Sequence, residues 1–381
     1  MGPDILNANM NVVIDSKYLA ADTAVALDAA GREHLVVVAK ATWSIPASGQ
    51  RPRPQIPQPL VQSDIYAGDP GQSAMLYGAD FARFKPRCDI LFNASAHAPD
   101  GEPVPEIVVA WQVGAVRKGL RVLGPRVWRS HIGILTMSKP EPFTTLPLHH
   151  GFAFGGTRTH EDGDGEKLYE SYLENPAGIG WAGPATRKQL RDAPAPRLEA
   201  LDDPIRNALG KHAPAAFSAI GRHWMPRKAH AGTYDDTWRR DVFPLLPEDF
   251  DERYHQCAPE DQQMDYPQGG EPVILRNMMP GRPDVRFSLP PIKRQTVRIL
   301  RTDYTNEVLE AVPDTLYFEP DENRFSVVWR ISTPIKRRQQ EFDTVAIGPV
   351  SASWWKAKTL GQGAGCAGCG GDQGELDEVS A

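Results

Sequence analysis

Five groups of residues have types and spacings that could do chemistry or bind a partner. Cys366 and Cys369 form a Cys-x-x-Cys pair, the spacing of half a structural zinc site, because two thiolates so placed can share one tetrahedral ion. No second Cys-x-x-Cys and no nearby His-x-x-x-His supplies the other half, so the pair reads as two reduced thiols in a tail. The run His160-Glu-Asp-Gly-Asp-Gly-Glu166 gathers oxygen ligands of the kind calcium takes. Counted from Asp162, however, the sixth and twelfth positions hold Lys167 and Leu173 where a calcium loop needs Gly and Glu, and the run reads as a solvated acidic turn. His149 and His150 are adjacent, so on a strand they face opposite sides and cannot share one metal without distortion.

The fourth group is Asp235 and Asp236 with His223 and His230. Two carboxylates can divide general acid and base roles if their surroundings split their pKa values. Adjacent Asp residues more often cap a helix or occupy a turn. No Gly-x-Ser-x-Gly elbow, no phosphate-binding Gly-x-x-x-x-Gly-Lys-Ser/Thr loop and no His-Glu-x-x-His helix occurs. The expectation is a protein that is not an enzyme and carries no cofactor and no metal, with a hydrolase built on the Asp/His group as the alternative.

The last group lies in the segment Trp224 to Gln262. Prolines at 226, 244, 247 and 259 interrupt regular structure by fixing φ and removing backbone donors. Trp224, Tyr234, Trp238, Phe243, Phe250 and Tyr254 are too many large rings for a solvated linker. Arg227, Arg239, Arg240 and Arg253 alternate with Asp235, Asp236, Asp241, Asp249 and Asp251. The segment is expected to be ordered but neither helix nor strand, pinned by aromatic anchors and ion pairs. Trp, Tyr and Arg dominate protein interfaces because each joins a large contact area to a polar handle, so Trp224, Arg227, Tyr234, Trp238, Arg239 and Arg253 are the partner-binding candidates. The same rings can instead fill gaps between β layers. Asp235, Asp249, Asp251, Asp261, Trp329 and Arg330 are the structural candidates.

The elements that must position these residues are mainly strands. Thirty-five prolines and 33 glycines in 381 residues favour short strands and irregular connections over long helices. His34 to Ile45 is rich in β-branched residues and stops at Pro46. Cys88 to Ala96 and Glu106 to Val113 flank the turn Ala98-Pro-Asp-Gly101 and read as consecutive antiparallel strands. Val116 to Val127 suggests a further pair around Arg117-Lys118-Gly119, and Ile132 to Met137 a continuation. Thr296 to Arg301, Thr315 to Phe318 and Phe325 to Ile331 form a second group, the last two joined by a Glu319-to-Arg324 hairpin loop. Ala185 to Asp192 and Glu248 to His255 are the best short helices.

The fold expected is mainly β, with antiparallel sandwich-like sheets, long irregular Pro/Gly/aromatic-rich connections and few short helices. Its parts would be an N-terminal β region (1–140), a middle region packed on the sheets (141–270), a C-terminal β region (271–360) and a flexible Gly-rich acidic tail (361–381). Forty-two basic against 48 acidic side chains leave a net charge of −6, which gives no footprint for nucleic acid or an anionic membrane surface. No apolar run approaches the ~20 residues that span a bilayer, and no signal peptide is read at the N-terminus. Four scattered cysteines fit a reducing, cytoplasmic compartment.

Several blocks together resemble a known family. They are Lys40-Ala-Thr-Trp43, Ser63-Asp-Ile to Lys85-Pro-Arg-Cys-Asp89, Pro147 to Gly156, Asn175-Pro-Ala-Gly-Ile-Gly180, Pro196-Arg-Leu-Glu199 with Asp203-Pro204, and Pro214 to Ile220. The most specific are Trp224-Met-Pro-Arg-Lys, Ala231-Gly-Thr-Tyr-Asp-Asp-Thr-Trp238, Leu246-Pro-Glu-Asp-Phe-Asp251 and Ala258-Pro-Glu-Asp-Gln262, and Val328-Trp-Arg330 ends the series. The chain thereby resembles accessory proteins of bacterial type VI secretion systems, a family long described only as a domain of unknown function. His149-His-Gly-Phe departs from the charged and aromatic residues expected before Phe-Gly-Gly. The resemblance implies a cytoplasmic chaperone or adaptor that binds a toxic effector protein and helps load it onto the VgrG spike and its PAAR-like tip. A structural subunit of the secretion apparatus is a further alternative.

Overall fold

The computed structural model describes residues 10–131, 134–161, 165–183 and 190–361. The fold is mainly β and largely antiparallel, in two principal sheets. In the first, the path runs Asn11–Ile14, Phe342–Ile347, Gln295–Arg301, Asn306–Glu319, Arg324–Pro334, Glu33–Ser44, Ala20–Leu27. The two end strands of that path are consecutive in sequence and joined only by residues 15–19. Such a connection spans ~20 Å at most, whereas seven flat strands would lie ~29 Å across, so the sheet has to curl. The end strands indeed touch.

The long strands arise where the sequence is richest in β-branched and aromatic residues. Glu33–Ser44 pairs along eleven positions with Arg324–Pro334, from Ser44↔Arg324 to His34↔Pro334. The expected hairpin at 319–324 is present, closed by Asn323 in the left-handed region. Asn306–Glu319 changes partner part-way along. Its first half pairs with Gln295–Arg301 and its second half, in parallel, with Cys88–Phe92. The register slips between Pro313 and Thr315, leaving Asp314 as an extra residue, and a bulge of this kind bends and twists a strand.

The second sheet has the order Leu198–Ala200, Val116–Leu123, Glu106–Val113, Pro272–Arg276, Asp284–Ser288. One face of each sheet faces the other, and the shared core includes Val37, Phe92, Val109, Trp111, Leu275, Phe318, Phe325 and Trp329. Both sheets combine strands from before residue 140 with strands from after residue 270.

Three local expectations are corrected. Cys88–Phe92 and Glu106–Val113 are not hairpin neighbours. They lie in different sheets, and the chain crosses between them through the 98–101 turn and through Pro103 and Pro105, which lack the donors a continuing ladder needs. The hairpin placed at Arg117–Gly119 turns instead at Gly114–Ala115, where Gly114 takes φ +58°, and Val116–Leu123 is one uninterrupted strand. The helix expected over 248–255 shrinks to a 3-10 turn, Glu252–His255, capped by Asp251.

The middle of the chain carries short paired strands, such as Thr157–Glu161 with Lys167–Ser171. It also holds a satellite core of Trp128, Phe154, Tyr172, Ala182 and Ile205. Most of the helix expected over 185–192, part of the 160–166 turn and the Cys366/Cys369 pair lie outside the described residues.

Candidate protein-docking site

The 224–262 segment is held at both ends by buried polar side chains. Asp89, fully buried at the start of the Cys88–Phe92 strand, accepts hydrogen bonds from Gln256 Nε2 (2.6 Å), Cys257 N (2.8 Å) and Ala258 N (3.2 Å). It also pairs with Lys85 Nζ at 2.8 Å, which in turn donates to Thr315 Oγ1 at 3.0 Å. Burial is the largest single influence on Lys85 and would lower its pKa, but Asp89 beside it and, with smaller contributions, Cys257 and Asp314 together outweigh burial and the net direction is upward. Gln262, also fully buried, donates to Ile90 O (2.9 Å) and Phe217 O (3.1 Å). The blocks Lys85–Asp89 and Ala258–Gln262, far apart in sequence, therefore meet in one hydrogen-bonded knot.

At the other end Trp224 is buried, its ring 5.3 Å from and edge-on to the imidazole of His150. Arg227, 4% exposed, donates to Tyr254 O and Ile220 O at 3.0 Å each and lies over the Tyr254 ring. His150 is itself enclosed, with Nδ1 2.9 Å from Ser218 Oγ. Burial, aided by the charge of Lys118, holds its pKa down to about 3. Its sign follows from linkage: the native imidazole stays neutral while the unfolded one takes up a proton below ~6.5. The stability this imidazole contributes is complete above that pH and is lost between about 6.5 and 3, at roughly 1.4 kcal/mol per pH unit. Urea melts at pH 7 and pH 5 should show the loss. An equal loss in His150→Gln would refute its assignment to this residue.

Between the anchors the chain projects as a finger over residues 231–250. Its base is fastened by Asp249, which accepts from Thr233 N (2.9 Å) and Thr233 Oγ1 (2.8 Å). These bonds hold the Asp249 carboxyl below the usual carboxylate range. Gly232 has φ +82°, and a Cβ there would lie 2.7 Å from Pro247, so only glycine fits. Asp235 caps the Asp236–Asp241 helix by accepting from Trp238 N at 2.8 Å. The sequence led us to expect no helix here; one and a half turns form between the prolines because this cap satisfies a free N–H.

Trp238 ties the finger together. Its indole donates to Leu245 O at 2.9 Å, and its ring meets Tyr234 (4.7 Å) and Phe243 (5.6 Å) edge-on. Leu245 packs on the Gly31 turn of the curled sheet. Tyr234 and Phe243 nevertheless remain 51% and 65% exposed. The arrangement presents two large rings to solvent on a braced support, which suits contact with another macromolecule.

The six partner-binding candidates thus divide. Trp224 and Arg227 are inside, Trp238 is half-buried and braces the finger, and Tyr234, Arg239 and Arg253 are exposed. Arg239 pairs with Asp236 at 3.1 Å and Arg253 with Asp251 at 2.5 Å. Among the structural candidates, Asp235, Asp249 and Asp251 fasten turns, and Asp261 meets Lys118 at 2.9 Å. Trp329 and Arg330 are buried, the indole donating to Lys293 O at 2.9 Å and the guanidinium meeting Asp314 at 2.8 Å. No hydrogen bond or ion pair among the described residues joins His223 or His230 to Asp235 or Asp236. No three His, Cys, Asp or Glu side chains converge as a metal site among the described residues.

Two features are not among the site candidates drawn from the sequence. Phe243, the most exposed ring of the finger, stands among its rings but not among the contacts, and its one signal is a large apolar residue directly before a proline. The other is a cavity of about 180 Å³ on the outer face of the curled sheet, lined by Lys40, Tyr77, Asp80, Lys85, Glu319 and Arg324 among others. Its charges are matched within the wall. Lys40 pairs with Asp80, and Arg324 grips Glu319 through two bonds of 2.9 and 2.8 Å. Lys40 in the middle of a β-branched strand was the available signal.

A family model described as an uncharacterized protein conserved in bacteria (DUF2169) matches residues 30–330. No curated protein and no solved structure matches the chain. Among the described residues no helix is long and apolar enough to cross a membrane. The match takes in the whole second sheet, most of the first, the buried knot and the finger, and the chain belongs to this bacterial family.

Proposed function

We propose that the protein is a type VI secretion accessory factor, a cytoplasmic chaperone or adaptor that holds a toxic effector protein and helps load it onto the VgrG spike with its PAAR-like tip. The observation that carries this reading is the finger, where Tyr234 and Phe243 stay exposed although the segment bearing them is fixed by Asp235, Asp249 and Trp238. Ordering these rings in the free protein lowers the entropy lost when a partner covers them. The sequence blocks that resemble type VI accessory proteins, four of them in or beside the finger, supply the identity of the partners. A net charge of −6 favours protein over polyanion as the bound species.

The test is affinity capture of the tagged full-length chain from its native cytoplasm, with identification of what is retained. An effector together with VgrG or a PAAR-like protein is the expected result. Capture of none of these, or fractionation with the assembled apparatus that persists after firing, would overturn the reading in favour of a structural subunit.

A further inference from the structure

The outer face of the five-stranded sheet is a second surface whose chemistry differs from that of the finger. Pairing register sets its layout. One row across the strands reads Arg117, Gln112, Ile274, Arg286, and the next reads Gly119, Ala110, Arg276, Asp284. Gly119 and Ala110 are neighbours with almost no side chain, so the sheet surface dips between them. Leu201, 46% exposed, leans over Gly119 and forms a wall. The result is an open depression of about 480 Å³ with an apolar floor and a cationic rim.

The rim is not neutralised from within. Arg286 is paired with Asp284 at 3.0 Å, but Arg117 and Arg276 are exposed and their guanidinium groups make no hydrogen bond or ion pair with the described residues. They stand two strands and one two-residue step apart, ~12 Å between Cα atoms. An extended peptide places side chains of the same face ~7 Å apart at i, i+2 and ~13 Å apart at i, i+4. Two carboxylates so spaced would reach both guanidiniums while an apolar side chain between them sat on Ala110 and Ile274. A guanidinium grips a carboxylate through paired N–H donors, which gives such a contact direction as well as charge.

We infer that this groove binds an extended acidic segment of a partner protein, with an apolar residue between its carboxylates. A nucleic acid is less suited, because Trp111, the aromatic residue along the floor, turns its ring into the core against Phe92 and Phe217 and offers no face to stack a base, and the chain as a whole is negative. The groove lies on strands that contribute no residue to the finger, so the inference stands on its own geometry.

The experiment uses full-length protein and a fluorescein-labelled probe peptide, Gly-Glu-Ser-Leu-Ser-Glu-Gly, which when extended puts both Glu and the Leu on one face, read by fluorescence anisotropy at low salt. Saturable binding is expected, weakened at least tenfold when the peptide's Glu residues become Gln and at least tenfold by the double variant Arg117→Glu/Arg276→Glu. Both arginines are exposed, so the variant should melt at the wild-type temperature and should now bind the Lys counterpart of the peptide. Absence of saturable binding, equal binding by the variant, a folded variant that binds neither peptide, or tighter binding of a labelled oligodeoxynucleotide would each overturn the inference. Retention of finger-dependent capture by the variant separates this result from that of the proposed function.

Discussion

Asp89→Ala is expected to cost about 3–5 kcal/mol of folding stability, the range seen when one partner of a buried ion pair is removed. Two losses combine. Lys85, 3% exposed, would keep only Thr315 Oγ1 as a partner for a buried ammonium. The N–H groups of Cys257 and Ala258 and the amide of Gln256 would lose their acceptor inside the protein, and an orphaned buried donor costs about 1–3 kcal/mol. Denaturant titration should show the midpoint falling with little change in slope. Adding Lys85→Met to Asp89→Ala distinguishes the two contributions. Recovery of part of the loss assigns it to the stranded charge. A double variant no better than the single one assigns the cost to the backbone bonds that fasten the 256–258 segment. A loss below about 1 kcal/mol in the single variant would show that the knot does not hold the segment.

The same knot shows what could and could not be read from the chain. Strand existence was legible where β-branched residues cluster, as in Glu33–Ser44, and a hairpin was legible where Pro320, Glu322 and Asn323 break two such runs. Strand partnership was not. Cys88–Phe92 lies beside residues 315–318, more than 220 positions away, and local sequence contains no information about which edge it will join. Asp314 illustrates the limit. An Asp within a strand-forming run looks like a poor strand residue, yet it is the extra residue of a bulge and its charge is matched by Arg330 on the neighbouring strand.

The finger was legible as an ordered aromatic segment, but the roles of its rings were not. Trp224 and Trp238 have similar polar and proline-rich surroundings in sequence. One is covered because it sits against His150 at the sheet-facing end, and the other is half-exposed because it sits at the projecting end. Distance from the anchors, a tertiary property, decides between scaffold and surface. This is also why Phe243, which no motif marked, replaces Trp224 and Arg227 as a contact candidate.

Replacing Tyr234 and Phe243 together with serine is expected to weaken capture of the partner by tenfold or more while leaving the fold in place. The magnitude follows from interfaces in general, where an aromatic hot spot contributes ~2 kcal/mol or more when covered. The stability cost should be modest. Each ring is more than half exposed in the free protein, and what each loses is an edge-on contact with Trp238, worth about 0.5–1.5 kcal/mol. Trp238→Ala supplies the contrast. It removes both ring contacts and the indole bond to Leu245 O, so it should lower the melting temperature and capture together. Three outcomes matter when melting and capture are measured side by side. Lost capture at an unchanged melting temperature in the double variant places the partner on the two exposed rings. Undiminished capture removes the finger as the docking site and with it the observation that carries the proposed function. Loss of both properties in the double variant would show that Tyr234 and Phe243, like Trp238, serve the fold, because a ring that only meets a partner leaves the free protein's stability almost untouched.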